Sequence, residues 1–163
     1  MPSINTFKNQ LRDGGSRANQ FEVVIPRIGE QRMLCKATSL PGQTITEIDV
    51  NFRGRHLYVA GDREWETWNT TFYVDRNMNI RNHMEAWMDE INDVGDSSSL
   101  HDGGYGYMSD ITVRHLDHNN HVTKAYNMIN AWPTTITPIE LDYDSTSAIE
   151  TFDVTWRFTS WVA

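Results

Sequence analysis

Residues 151–160 read Thr151-Phe152-Asp153-Val154-Thr155-Trp156-Arg157-Phe158-Thr159-Ser160, with large apolar side chains at every second position and polar ones between them. A period of two marks a strand with one face buried and one in water, as in an antiparallel sheet. The same period runs through residues 65–74, where Trp68, Thr70, Phe72 and Val74 share a face. It recurs at Ile48, Val50 and Phe52, breaks at Arg53-Gly54-Arg55 and resumes at Leu57 and Val59, which predicts a hairpin over about residues 45–59. Ala60-Gly61-Asp62-Arg63 then reads as a turn. Residues 20–25 and 32–38 are runs of strand length with apolar and β-branched residues, and the intervening Pro26-Arg27-Ile28-Gly29-Glu30 predicts that they pair as a hairpin. Residues 108–116 and 121–132 read as strands joined across Asp117-His118-Asn119-Asn120, and Pro133 and Pro138 bound a short irregular stretch.

One segment has a convincing helical period. Ile80, Met84, Trp87, Met88, Ile91 and Val94 step by three or four, with Asn77 or Asp75 as the N-cap and Gly95 as terminator. Residues 1–19 form a polar, loosely held arm, in which Gly14-Gly15-Ser16 stops any helix begun by Ile4, Phe7 and Leu11. Residues 96–106 have the Gly, Ser and Asp content of a mobile loop. With no internal repeat and no linker, residues 1–163 are expected to form one domain, mainly β, of packed antiparallel sheets in a β-sandwich or barrel with one outer α-helix. Open sheets of this kind leave unpaired edges, and a chain that does little to blunt them has the means to pair with neighbours.

Composition narrows the function classes. An apolar fraction of 39% over 163 residues supplies a core, whereas a net charge of −8 disfavours free binding to nucleic acid or an anionic membrane. The longest apolar runs fall short of a membrane span, and MPSINTFKNQLRDGGS lacks an apolar stretch of signal-peptide length, so neither membrane anchoring nor Sec export is expected. The single Cys35 excludes an intramolecular disulfide framework. Charge is divided unevenly: residues 1–63 hold nine Lys or Arg against six Asp or Glu, or +3, and residues 64–163 hold five against sixteen, or −11. That polarity suits copies binding head to tail.

Catalytic and ligand-binding signatures are weak. His115, His118 and His121 are spaced as H-x2-H-x2-H around a predicted turn, but exposed polar turn residues are the commoner meaning of that pattern than a metal site. Asp142-Tyr143-Asp144 resembles the acidic motif of metal–nucleotide sites, yet no phosphate-cradling glycine loop precedes a helix; Gly103-Gly104-Tyr105-Gly106 precedes a strand. An Asx-type turn is the simpler reading. Cys35 falls inside a strand, where an inert thiol is expected. Trp68, Trp87 and Trp156 lie in apolar phases and read as core, leaving Trp65, Trp132 and Trp161 as the residues that a sugar-binding surface would use. No enzyme activity, metal or cofactor is expected. Asn69-Thr70-Thr71 is formally a glycosylation sequon, of little meaning without export.

Two features ask for partners. Glu85, Asp89 and Asp93 stack at i, i+4 and i+8 on the face away from the apolar stripe, and Glu90 adds to the C-terminal pole, where the helix dipole disfavours negative charge. Contact with a basic partner would compensate. The second feature is the hairpin, whose apolar Ile48, Val50 and Phe52 need cover that a two-stranded ribbon does not provide, and whose tip carries Arg53, Arg55 and His56.

Several motifs, taken together and in order, resemble the tail tube proteins of contractile-tailed, T-even-like bacteriophages across nearly the whole chain. They are Cys35-Lys36-Ala37-Thr38-Ser39-Leu40-Pro41, Val59-Ala60-Gly61-Asp62-Arg63, Trp68 with its alternating strand, Trp132-Pro133-Thr134, Leu141-Asp142-Tyr143-Asp144-Ser145, and Ile149 with Thr151-Phe152-Asp153-Val154-Thr155. The resemblance implies hexameric rings stacked into a hollow tube through which DNA passes without specific binding. It also implies a contractile sheath around the tube, baseplate and tail-terminator proteins as further partners, and a place in a virion assembled in the host bacterial cytoplasm. Tubes of pyocins and of type VI secretion are similar, so a phage-derived injection device is an alternative; a monomeric ligand- or sugar-binding β-sandwich is another, from a different class. An extended loop used for contacts between subunits would correspond to the hairpin, assigning stacking to Ile48, Val50, Phe52, Arg53, Arg55 and His56. Glu85, Asp89 and Asp93 would face the sheath, and the polar phase of the last strand and the acids of residues 140–144 are candidates for the tube lining. The 96–106 loop and the three histidines lie outside the resemblance.

Overall fold

A computed structural model of the chain describes residues 3–11, 14–92 and 106–163. The elements in order are α1 (Ile4–Gln10), β1 (Phe21–Val24), a 3-10 segment (Pro26–Leu34), β2 (Cys35–Thr38), β3 (Gln43–Phe52), β4 (Arg55–Trp65), β5 (Trp68–Tyr73), α2 (Asn79–Ile91), β6 (Ser109–Leu116), β7 (Val122–Ile136), β8 (Thr151–Arg157) and β9 (Ser160–Val162). Apart from β3 and β4, the strands form one array in the order β1-β6-β7-β8-β5-β2, with β9 also paired to β7, and every pairing is antiparallel.

The fifteen-residue β7 joins the two halves of this array. Its first part pairs with β6 and, at residues 127–129, with β9; its last part, from Trp132, pairs with β8. Asn130 sits between them at φ 55°, its backbone N–H donating to Asp110 Oδ1 at 3.0 Å, and an asparagine tolerates this left-handed geometry at a bulge. Side chains from both halves meet in one core: Val23, Ile111, Val113 and Met128 from one, Phe72, Phe152, Val154 and Trp156 from the other, closed by Ile80, Met84 and Trp87 of α2. The three core tryptophans each satisfy their indole N–H, Trp68 on Ser39 O at 2.6 Å, Trp87 on Tyr107 O at 2.6 Å and Trp156 on Thr70 Oγ1 at 2.8 Å. Burial without that partner would forfeit part of the gain.

The mainly β architecture of antiparallel sheets with an outer helix is as the sequence implies, and the alternating strands at 68–73 and 151–157 bury the residues their period selects. Four local expectations are corrected. Residues 20–38 make no hairpin: β1 pairs with β6 and β2 with β5, and the 3-10 segment between them, kinked at Gly29 (φ 54°, ψ −128°), carries the chain from one edge of the array to the other. Residues 60–63 are strand, not turn, because β4 absorbs an extra residue there as a bulge opposite Ile45 and Glu47. A Cβ on Gly61 would lie 3.0 Å from the Thr46 carbonyl oxygen and 2.6 Å from its Oγ1, so the close approach requires glycine. Pro133 lies within β7, at a register irregularity where β8 is the strand's one sheet partner and the missing N–H is tolerated. Finally, the alternation at 151–160 spans two strands: the chain leaves β8 after Arg157 and pairs again as β9 on the other half.

The helix α2 also starts differently from the sequence reading. Its N-cap is Met78, at φ 54°, and the Asp75 carboxylate serves the first turn from outside by accepting from Ile80 N at 3.3 Å and from Asn79 Nδ2 at 2.8 Å. The expected terminator Gly95, like Val94, lies outside the described residues. The N-terminal helix α1 buries no residue, ends before the positive-φ Gly14 and Gly15, and is followed by Ser16 and Arg17 held at His115. His115 Nε2–H donates to the Arg17 carbonyl at 3.0 Å and meets Ser16 Oγ at 3.0 Å, while Nδ1 meets Thr123 Oγ1 at 2.9 Å.

Candidate functional site

The hairpin β3–β4 is a separate two-stranded sheet. Its strands are ten and eleven residues long, so at about 3.3 Å per residue it spans roughly 30 Å. Only Thr46, Gly61 and Trp65 are even partly covered along it. Arg53 (φ 48°) and Gly54 (φ 78°) supply the two left-handed residues that a tight turn between twisted strands demands. Register pairs Ile48 with Val59, Val50 with Leu57 and Phe52 with Arg55, which gathers the apolar side chains on one face. Glu47, Asp49, Asn51, His56 and Tyr58 take the other face, where His56 Nδ1 lies 3.0 Å from Asp49 Oδ2. On the apolar face Phe52 is 67% exposed and Leu57 61%.

The base of the hairpin is fixed to the core while its length is not. Trp65 meets Trp161 edge to face at 5.5 Å, Trp161 meets Tyr126 at 4.9 Å, and Trp161 Nε1 donates to Gly42 O at 3.2 Å. Trp132 packs edge to face with Tyr107 at 6.1 Å. These rings brace one another at steep angles and present no flat platform for a sugar. The six residues assigned to stacking thus occupy one projecting element, with Ile48, Val50 and Phe52 on its bare face, Arg53 and Arg55 at its tip, and His56 engaged by Asp49.

The acidic helix face is partly neutralised by two arginines, one on the helix itself and one from a distant segment. Arg81 Nε donates to Glu85 Oε1 at 2.7 Å, and Arg81 also donates to Thr137 O. Arg27, from the 3-10 segment, pairs with Glu90 at 2.5 Å, reaches Gly106 O and lies over the Trp87 ring; its hydrogen bond, helped by its charge, holds the Glu90 carboxyl below the usual carboxylate range. Asp89 is exposed and has no such partner among the described residues. Asp93 lies outside them.

The remaining candidates are structural. His115 is engaged by the arm and Thr123, His121 Nδ1 stands 3.5 Å from Asp117, and no group of three potential metal ligands converges among the described residues. The Asp117 carboxyl is held below its usual range by the His121 and Asn119 backbone N–H groups. Asp142 Oδ1 accepts from Asp144 N at 3.0 Å, an Asx turn. Burial pushes the Cys35 thiol up to about 12, so it is not an activated nucleophile. Residues 96–105 lie outside the described set.

The family described as phage tail tube protein matches residues 3–163. Among curated relatives, the tail tube protein gp19 of Enterobacteria phage T4 is 31% identical over 147 residues, covering 90% of both chains. The tail tube protein of Serratia phage KSP90 is 28% identical over 169 residues, covering 97% of this chain and 95% of the other. In fold, the chain is similar to one in the sheath–tube complex of an extracellular contractile injection system in its extended state, with a TM-score of 0.65, 16% identity, and 99% and 97% of the two chains covered.

Proposed function

The chain belongs to the phage tail tube protein family, and from that premise we propose that it closes into hexameric rings that stack as the inner tube of a contractile tail, a conduit for DNA during ejection. The observation that carries the stacking is the β3–β4 hairpin, which stands away from the core with an apolar face bare along its length. Covering five half-exposed aliphatic or aromatic side chains at about 1 kcal/mol each gives roughly 5 kcal/mol of gross attraction per hairpin. The basic tip then selects register. The bacterial cytoplasm is the place of assembly, and sheath, baseplate and tail-terminator proteins complete the partner set.

Purified protein should form long hollow tubes in negative-stain images and sediment accordingly; a compact monomer at all concentrations would favour the ligand-binding alternative instead. The same tubes test the conduit. A dense Lys and Arg lining would bind each phosphate and stall a passing duplex, so a reconstruction should show an acidic or neutral lumen.

We assign the outer wall to α2, with Glu85 and Asp89 toward the sheath; Asp93, outside the described residues, continues their spacing in the sequence. Reversing all three to Lys should leave tube growth intact, because exposed ion pairs such as Arg81–Glu85 contribute little to stability. Sheath assembly on those tubes should fall by roughly tenfold at low salt and by less at high salt. Unchanged sheath assembly at low salt would return these acids to a merely solvated surface.

A further inference from the structure

The hairpin's bare face needs an occupant, and one other surface of the chain matches it in both polarity and charge. Between β7 and β8, every residue from Glu140 to Glu150 is exposed, including Leu141 at 80%, Tyr143 at 104% and Ile149 at 67%. The turn is internally braced, with Asp144 N donating to Asp142 Oδ1 at 3.0 Å and Ser145 N to Asp142 O at 3.3 Å, so these apolar groups stand out from defined backbone. Beside them opens a cleft of about 340 Å³ lined by Glu140, Asp142, Ala148, Ile149 and Glu150. Glu140, Asp144 and Glu150 have no cationic partner within the chain among the described residues, and neither Arg53 nor Arg55 has an anionic one. Two apolar surfaces, each fringed by unpaired charge of opposite sign, fulfil the head-to-tail polarity of the chain.

We propose that the 140–150 segment of a second copy seats on the apolar face of the β3–β4 hairpin, with Leu141, Tyr143 and Ile149 against Phe52 and its neighbours, and Glu140 and Asp144 against Arg53 and Arg55. The inference rests on the stacking role proposed for the hairpin and names the surface that receives it. The apolar side chains of this segment suit protein contact better than the wall of a DNA conduit. Helix α1 is the competing occupant, since it and its C-cap expose Ile4, Phe7 and Leu11, but the helix's one charged residue is Lys8, of the same sign as the hairpin tip.

Charge exchange tests the pairing. Glu140→Lys with Asp144→Lys spares the Asp142 turn and should lower tube yield by about tenfold or more, as should Arg53→Glu with Arg55→Glu. Combining all four substitutions restores opposite signs across the contact and should recover most of the parental yield. A Phe52→Cys, Tyr143→Cys chain should cross-link into covalent ladders within tubes, whereas Phe52→Cys with Phe7→Cys should not. Parental yield from the Glu140, Asp144 pair, or cross-linking through Phe7 in place of Tyr143, would overturn this pairing while leaving hairpin stacking intact. Parental yield from the Arg53, Arg55 pair would instead remove the stacking role itself, and this inference with it.

Discussion

A Phe52→Ser subunit should fold as the parent does and fail to grow tubes. Phe52 is 67% exposed in the subunit and lies at the far end of the hairpin from the core, so its loss should change unfolding free energy by less than about 0.5 kcal/mol. In the proposed stack, the same ring is the aromatic anchor of an otherwise aliphatic face, and truncating such an anchor typically costs about 2 kcal/mol or more. At about 1.4 kcal/mol per tenfold, the critical concentration for growth should rise by roughly thirtyfold at each contact. The Phe52→Ser effect should persist in high salt, whereas Arg53→Glu with Arg55→Glu should be sensitive to it. Light scattering against protein concentration measures both, and parental growth by Phe52→Ser would mean that another element carries the stacking.

A Trp156→Ala chain should lose about 3–5 kcal/mol of stability, the largest effect expected of any single substitution. Trp156 is fully buried, packs at 6.1 Å from Trp68 and 5.4 Å edge to face from Trp87, and joins α2 to β5 and β8. Its removal opens a large cavity and leaves the buried Thr70 hydroxyl without the indole donor. Since a domain of this kind is stable by only about 5–15 kcal/mol, the variant should unfold at markedly lower urea. Trp156→Phe should recover much of the packing but not the hydrogen bond. A midpoint within experimental error of the parent for Trp156→Ala would show that this core is not where stability resides.

The candidate site was legible in proportion to how local its causes are. The hairpin and its tip could be read because alternation and an Arg-Gly turn act over a few residues. Its full length could not, since β4 runs through Gly61 only by a bulge that depends on the facing Thr46. The acidic stripe on α2 was visible as spacing, but its local compensation was not. Arg81 lies one turn before Glu85 and offered a signal that helical spacing contains; Arg27 reaches Glu90 from a segment 63 positions away, which no pattern contains. Leu141, Tyr143 and Ile149 stand within the sequence motifs, but only their exposure separates the proposed contact surface from a small core.

By itself the sequence determined which face of β5, β8 and α2 points inward, because period two and period 3.6 are imposed by the backbone whatever the neighbours are. Its ordered motifs likewise carried the family. Tertiary structure decided which strands meet: β1 beside β6 and β2 beside β5 rather than beside each other, and the last alternating run divided between two partners. Pairing is a competition among distant edges for the same hydrogen bonds, and alternation is equally compatible with every antiparallel partner. Among the described residues the same competition left β3 and β4 with no partner but each other, and that is why the face the sequence marked as apolar is bare.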